Sequence, residues 1–379
     1  GKKIKKNINN NTQIKKKDIW KKKIVLITGT RADFGKIKSV IQKLLDSNFD
    51  IKIFITGMHL DKKYGFTYNE VKKNFPTKIL HKFINYSRGE SQDIILANTI
   101  NGFNKLLNKF KPNLVIVHGD RIEALAGAIS ASLNNFLTMH IEGGELTGTI
   151  DEHLRHSISK LSHLHIVTNL IAKRRLIKKL GENPKSIFVC GSPDIDIMKK
   201  STLPSINDVK RRYSIPFKDY AIILFHPVTT ELGNIKNYTN LLIRNCIKSN
   251  KKFVVIYPNN DPGNQEILRL YNLRIKKNRN FKLLKSMRFE YFLTLLKNSR
   301  LIIGNSSAGI IEAPVYGIPT INLGSRQNNR VNQTKSIANI DFTSVKLHQK
   351  INYLYGKKYK KRSIFGDGSS AKKIINILK

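Results

Sequence analysis

Residues 24–45 read IVLITGTRADFGKIKSVIQKLL, and the change of rhythm inside them decides the fold class. An apolar run of strand length stops at Gly29. Beyond it Ile37, Val40, Ile41, Leu44 and Leu45 recur three and four apart, as on one face of a helix. A strand feeding a helix is half of a βα unit, and the alternation repeats along the chain. Strands are expected at Ile24–Gly29, Ile51–Gly57, Ile79–Asn85, Leu114–Gly119, Leu137–Glu142 and His165–Thr168. Amphipathic stretches separate them, one carrying Ile94, Ile95, Ile100, Phe103, Leu106 and Leu107. The rhythm pauses at Cys190-Gly191-Ser192-Pro193, then resumes at Ala221–Phe225, Phe253–Tyr257, Phe281–Lys285, Leu301–Gly304 and Thr320–Leu323. The expected class is α/β: two doubly wound parallel-sheet domains in tandem, residues 23–190 and 191–366, with their βα loops facing one interdomain cleft.

Composition narrows the function. The 379 residues hold 68 Lys+Arg against 26 Asp+Glu, a net charge of +42, with 40% apolar content. That apolar share belongs to a core-forming protein, not a disordered basic tail. Residues 1–22 are read as a basic, poorly ordered tail: residues 1–23 carry ten lysines and one aspartate, and no apolar stretch of a secretory signal. The remaining excess is spread over every helix without a recognised nucleic-acid motif, so no nucleic-acid partner is expected. No run of about 20 apolar residues is present, so no membrane partner is expected either. The two cysteines, Cys190 and Cys246, have no metal-ligand or disulfide-framework spacing, which fits a reducing cytoplasm. His153, His156, His163 and His165 match no standard ligand set, so no metal is assigned.

The polar residues collect just after the expected strands. Thr30, Arg31 and Asp33 follow the first, Met58 and His59 the second, Asp120 and Arg121 the fourth, Glu142 and Gly144 the fifth, and then Asp151 and Glu152. Carboxylates, histidines and arginines converging on one rim supply acids, bases and anion-binding groups together. Taken singly, Asp120 and Asp151 also read as helix caps or first-turn anions. In the second half Gly304-Asn305-Ser306-Ser307-Ala308-Gly309 is expected to open a helix over Ile310–Tyr316, presenting backbone N–H groups to a phosphate. Glu312, nearly two turns along it, suits a vicinal diol, and Arg326 suits a diphosphate. His226 and Asn259 end two further strands facing the cleft.

The segments TGTRADFGK (28–36), TGMHL (56–60), VHGDRIEALA (117–126), HIEGGELTGTIDEHLRHSISKLSHLH (140–165), HPVTT (226–230), IGNSSAGIIEA (303–313) and NLGSRQNNR (322–330) together resemble the hydrolysing UDP-N-acetylglucosamine 2-epimerases of bacterial sialic-acid synthesis. They are similar as well to the epimerase half of the animal bifunctional epimerase/kinase. The resemblance implies a GT-B architecture of two Rossmann-like domains, with a C-terminal helix at 367–379 crossing back to the first domain. It implies a catalytic set of Asp120, Glu142, Asp151 and His226. Ligand contacts are implied at Arg31, Asp33, His59, Arg121, Gly144, Glu152, Asn259, Ser306, Ser307, Glu312 and Arg326. At position 152 the animal relative has Asp. Where non-hydrolysing epimerases carry a GTRPE-type loop, this chain reads GTRADFG. The implied reaction uses a UDP-sugar and no cofactor, in a cytoplasmic homodimer or homotetramer. Rival readings are the same chemistry on UDP-2,4-diacetamido-2,4,6-trideoxyglucose for legionaminic acid, a GT-B glycosyltransferase, and a nucleic-acid-binding protein.

Overall fold

The strand Lys23–Thr28 (β1) sends Ile24 and Leu26 into one core and Val25 and Ile27 into another, so both faces of its sheet are covered. Such two-sided burial explains why the run is continuously apolar rather than alternating. The computed structural model describes residues 22–87, 89–147, 149–199, 203–328, 330, 334–342 and 346–379. The expected basic tail thus lies outside the described residues except for Lys22, whose ammonium donates to the Leu378 carbonyl at 2.7 Å.

Beside β1 run Asp50–Ile55 (β2), Leu80–Lys82 (β3), Leu114–His118 (β4), Leu137–Ile141 (β5), Leu164–Val167 (β6) and Ile187–Val189 (β7). They form one parallel sheet in the order β3-β2-β1-β4-β5-β6-β7. The second sheet comprises Ala221–Leu224 (β8), Phe253–Ile256 (β9), Phe281–Leu284 (β10), Ile302–Gly304 (β11), Thr320–Leu323 (β12) and Ile337–Ile340 (β13), ordered β10-β9-β8-β11-β12-β13 and again parallel. Both orders are doubly wound, as the alternation implied.

Two strands escaped the sequence reading. β7 and β13 are short edge strands, three and four residues long and only partly buried; the run Ile187–Cys190 is too brief to stand out, and Asn339 interrupts the other. The edge strand β3 is likewise three residues where seven were expected.

Helix Ser370–Leu378 packs Ala371, Ile374 and Ile375 into the core of the first sheet, against Ile37, Val40 and Ile41. At about 1.5–3 kcal/mol for each fully buried isoleucine, this end of the chain ties the second half to the first. Among the described residues no helix is long and apolar enough to cross a membrane.

Candidate active site

A doubly wound sheet opens a crevice where neighbouring strands send their connections to opposite faces. Here those points lie between β1 and β4 and between β8 and β11. At the β8/β11 point Gly304 has φ +141° and a Cβ there would sit 2.0 Å from the Leu224 carbonyl oxygen, so no other residue lets the two strand ends approach this closely. One cavity of about 310 Å³ joins the two crevices. Its first-domain wall carries Arg31, Asp33, Asp120, Arg121, Glu142 and Asp151; facing them are His226, Asn259, Ser306, Ser307, Glu312 and Arg326.

The acidic wall is built on a buried cation. His118, the last residue of β4, contacts Asp33 Oδ1 through Nδ1 at 2.9 Å and Glu142 Oε2 through Nε2 at 3.3 Å. Burial disfavours its charge, but the Glu142 and Asp33 carboxylates outweigh that and raise its pKa to about 10. Asp33 is fixed in turn by the Thr28 hydroxyl, which donates to Oδ2 at 2.6 Å. Glu142 sits at φ +67°, a left-handed conformation that costs a residue with a side chain about 1–3 kcal/mol. Against the opposing effect of burial, Lys36, His118 and a hydrogen bond from Ser192 hold its carboxyl well below the usual range.

The other two acids differ from each other. Asp120 receives a guanidinium hydrogen bond from buried Arg155, and although burial opposes ionisation, Arg155, Arg330, Arg326 and Arg121 lower its pKa. Asp151, in the first turn of helix Ile150–Lys160, is raised by burial and by the nearby Asp120 charge, despite Arg326 Nη2 at 3.2 Å.

On the facing wall the His226 Nδ1 accepts the Asn259 N–H at 3.1 Å. Burial and then Arg326 push its pKa down to about 3, so the ring is neutral with its proton on Nε2 and can only donate from that side. Glu312, 2% exposed, is pushed up to about 7 by burial, partly offset by Lys36 at 3.6 Å, with Asp194 and Glu142 adding to the rise.

The loop before Glu312 corrects the sequence reading. Instead of one helix over Ile310–Tyr316 there is a single 3-10 turn, Ser307–Gly309, and a separate five-residue helix beginning at Glu312. Pro314 has no N–H for the Ile310 carbonyl and its ring clashes with that group, so the helix cannot extend upstream. Glu312 is therefore a first-turn residue, and the full macrodipole expected behind Ser306 is missing. A cationic side chain enters the same space: Arg326 reaches the Asn305 carbonyl at 3.3 Å and Asp151 across the cleft.

Three expected contacts fall outside the cavity lining. His59 is fully buried between Thr67 Oγ1 at 2.7 Å and Thr28 Oγ1 at 3.1 Å, and burial lowers its pKa to about 4; it supports Thr28 rather than a ligand. Glu152 accepts the Thr147 N–H at 2.8 Å and so closes the turn before its helix. The Gly144 carbonyl accepts a hydrogen bond from Arg175. Conversely the cavity contains Lys36, Tyr64, His118, Arg155 and Arg330, to none of which the sequence assigned a role, although His118 stands at a strand end on the same rim. Arg155 lies four residues after Asp151, one helical turn on the same face, and that spacing was readable.

Contacts across the cleft bind the lobes. Arg31 donates to Ser286 at 2.6 Å, Arg121 to Asp261 at 2.9 Å and Asn260 at 2.7 Å, and Lys38 pairs with Glu290 at 2.7 Å. Among the described residues no group of three or more His, Cys, Asp or Glu is arranged to hold a metal ion. His165 instead lies buried 3.3 Å from Glu182, and His163 Nδ1 accepts the Thr138 N–H at 3.1 Å.

The charged His118 makes stability depend on pH in a defined direction. Its folded pKa of about 10 exceeds the 6.5 of an ordinary histidine, so its contribution is complete below pH 6.5 and is lost as pH rises through 10. The stability difference between wild type and His118→Gln, followed by urea titration, is expected to shrink steadily from pH 7 to pH 10.

Known proteins resemble this arrangement over most of its length. The family model described as UDP-N-acetylglucosamine 2-epimerase matches residues 42–379. A UDP-N-acetylglucosamine 2-epimerase of Neisseria meningitidis serogroup B is 46% identical over 323 residues, covering 85% of this chain and 84% of the relative. A UDP-N,N'-diacetylbacillosamine 2-epimerase (hydrolyzing) of Legionella pneumophila is 34% identical over 365 residues, covering 94% and 96%. Among solved structures, the Methanocaldococcus jannaschii UDP-GlcNAc 2-epimerase in complex with UDP-GlcNAc and UDP superposes with a TM-score of 0.79 at 23% identity, covering 94% of this chain and 99% of that one. At that identity the likeness shows the fold, and the fold is GT-B-like.

Proposed function

Since the chain belongs to the UDP-N-acetylglucosamine 2-epimerase family, we propose that it carries out the hydrolysing form of the reaction, turning UDP-N-acetylglucosamine into UDP and N-acetylmannosamine for sialic-acid synthesis. The observation that supports this most is the single cavity shared by Asp120, Glu142 and Asp151 on one wall and His226, Glu312 and Arg326 on the other. Acid/base groups and nucleotide-binding groups then meet the same ligand.

The C2 proton of the sugar is not alpha to a carbonyl, so no ordinary base removes it from the ground state. Departure of UDP changes that. As the C1–O bond breaks, its electron pair leaves with the diphosphate and the ring gains oxocarbenium character, which makes the C2 proton acidic. Arg326 and the Nε2–H of neutral His226 stabilise the leaving oxygens. The C2–H pair then forms the C1=C2 bond of 2-acetamidoglucal. A weak base suffices at that stage, and Asp120, kept ionised by its arginines, fits the role. Hydration reverses the pattern: the C1=C2 pair takes a proton at C2 from a carboxyl on the other face, and water adds to C1, its surplus proton passing to the Glu142 carboxylate and on to solvent. Asp151, whose ionisation is disfavoured, fits that second role. Two acids with pKa values driven apart are the usual sign of a divided acid/base pair. Glu142, ionised and held at both oxygens, orients the water.

The test is turnover of donor alone in deuterium oxide. UDP is expected without any acceptor sugar, with deuterium at C2 of the released N-acetylmannosamine; protium retained there rejects the elimination. A glycosyltransferase would require an acceptor. The Legionella relative favours a second reading in which the sugar is UDP-2,4-diacetamido-2,4,6-trideoxyglucose. The higher identity to the Neisseria protein favours the first, and kcat/KM for the two UDP-sugars side by side decides.

A further inference from the structure

Ser192 occupies the N-cap of helix Pro193–Met198, where a serine ordinarily accepts a backbone N–H, yet its side chain makes no capping hydrogen bond. It is fully buried, and its hydroxyl donates to Glu142 Oε1. The other oxygen of the same carboxylate faces His118 Nε2 at 3.3 Å. Glu142 is thus gripped twice: by His118 at the end of β4 and by Ser192 in the segment that carries the chain from the first sheet toward the second.

That segment is not an ordinary linker. The returning chain passes against it, with the Ser192 N–H donating to the Phe365 carbonyl at 2.6 Å and the Ser370 hydroxyl to the Cys190 carbonyl at 2.9 Å. Gly191 and Gly366, at φ +86° and +145°, lie so close that a Cβ on Gly191 would be 2.7 Å from the Gly366 Cα. Asp196 caps the returning helix through the N–H groups of Ser370 at 2.8 Å and Ala371 at 2.7 Å. Phe365 itself lines the cavity. The chain crosses between lobes twice, and both crossings touch at Ser192, the covalent junction about which the lobes would pivot.

We propose that Ser192 is a positioning residue that couples the pivot between the lobes to the orientation of the Glu142 carboxylate, a role that rests on the epimerase reading above. With the lobes closed on a nucleotide sugar the hydroxyl holds Oε1 and leaves the remaining lone pairs aimed at the water that attacks C1. Relaxation of the pivot turns that carboxylate away. A capping serine would leave the site indifferent to its removal.

The experiment compares wild type, Ser192→Ala and Ser192→Thr, with UDP-N-acetylglucosamine as substrate and UDP as binding probe. Ser192→Ala is expected to lose about 10–100-fold in kcat with KM and UDP affinity within about twofold. The share of product leaving as 2-acetamidoglucal is expected to rise several-fold, because elimination outruns a hydration that lacks its oriented water. Ser192→Thr, which keeps the hydroxyl, is expected to recover most of the loss. Equal activity of Ser192→Ala and wild type overturns the role, and so does a parallel fall of kcat and UDP affinity in both variants, which marks a purely structural serine. A wild type that releases no UDP from either UDP-sugar overturns the epimerase reading itself, and is told apart because no variant enters that result.

Discussion

Replacing Asp120 by asparagine is expected to lower kcat by about 10²–10⁴-fold, the range for loss of a positioned base, and to leave the UDP dissociation constant within about threefold. The asparagine carbonyl still accepts from Arg155, so the side chain keeps its place; what disappears is the negative charge. Four arginines act on that charge, and Arg155 itself is 1% exposed. The variant is therefore also expected to be less stable, by about 1–3 kcal/mol for weakening a buried hydrogen bond to a charged group. The sign with pH follows from the direction of the shift. A carboxyl lowered in the folded state contributes stability above its unfolded pKa and loses it as pH falls through the folded value. The stability gap between wild type and Asp120→Asn is thus expected to be wide at pH 7 and to close in acid. Steady-state kinetics, UDP titration and urea unfolding separate the three effects. An unchanged kcat with weakened binding would remove Asp120 from the proton transfer.

Much of this site was legible because a parallel strand must end at a crevice. Asp33, Asp120, Glu142 and His226 each follow an apolar run that stops abruptly, and all four line the cavity. The same signal misled at His59. It too follows a strand, but its ring turns back to Thr28 and Thr67, and nothing in the local sequence distinguishes a ring that faces outward from one that faces inward. His118 stands at such an end too but drew no role, since as the last residue of β4 it reads as part of the run. Lys36 sits inside a helix, where a chain with a net charge of +42 makes a single cation unremarked. Ser192 carries the sequence pattern of a helix cap, and only the three-dimensional meeting of two distant crossings reveals its partner. Pattern reports where the backbone turns; side-chain direction and contacts between residues far apart in sequence must come from the packed structure.

On the proposed epimerase reading, the broken helix after Ser306 gives Arg326 a larger part than the sequence implied. With one 3-10 turn in place of a long helix, few aligned peptide dipoles would point at a diphosphate bound here, and His226 is neutral. If the proposed reaction holds, Arg326 supplies a full positive charge on that side of the bond that breaks. Replacing it by alanine is expected to lower kcat by about 10²–10³-fold, as for removal of a donor aimed at developing charge. UDP affinity is expected to fall as well, by about 2–4 kcal/mol for a lost guanidinium–phosphate pair in a buried site. Asp151 loses its partner across the cleft at the same time, and without that cation its pKa is expected to move further up. The two variants are told apart because only the arginine variant is expected to lose both turnover and UDP affinity. Addition of guanidinium ion is a direct check: a small cation diffusing into the vacated space is expected to restore part of the lost rate in Arg326→Ala and none in Asp120→Asn. A variant that binds UDP as tightly as wild type would place the diphosphate elsewhere in the cleft and transfer the leaving-group role to His226.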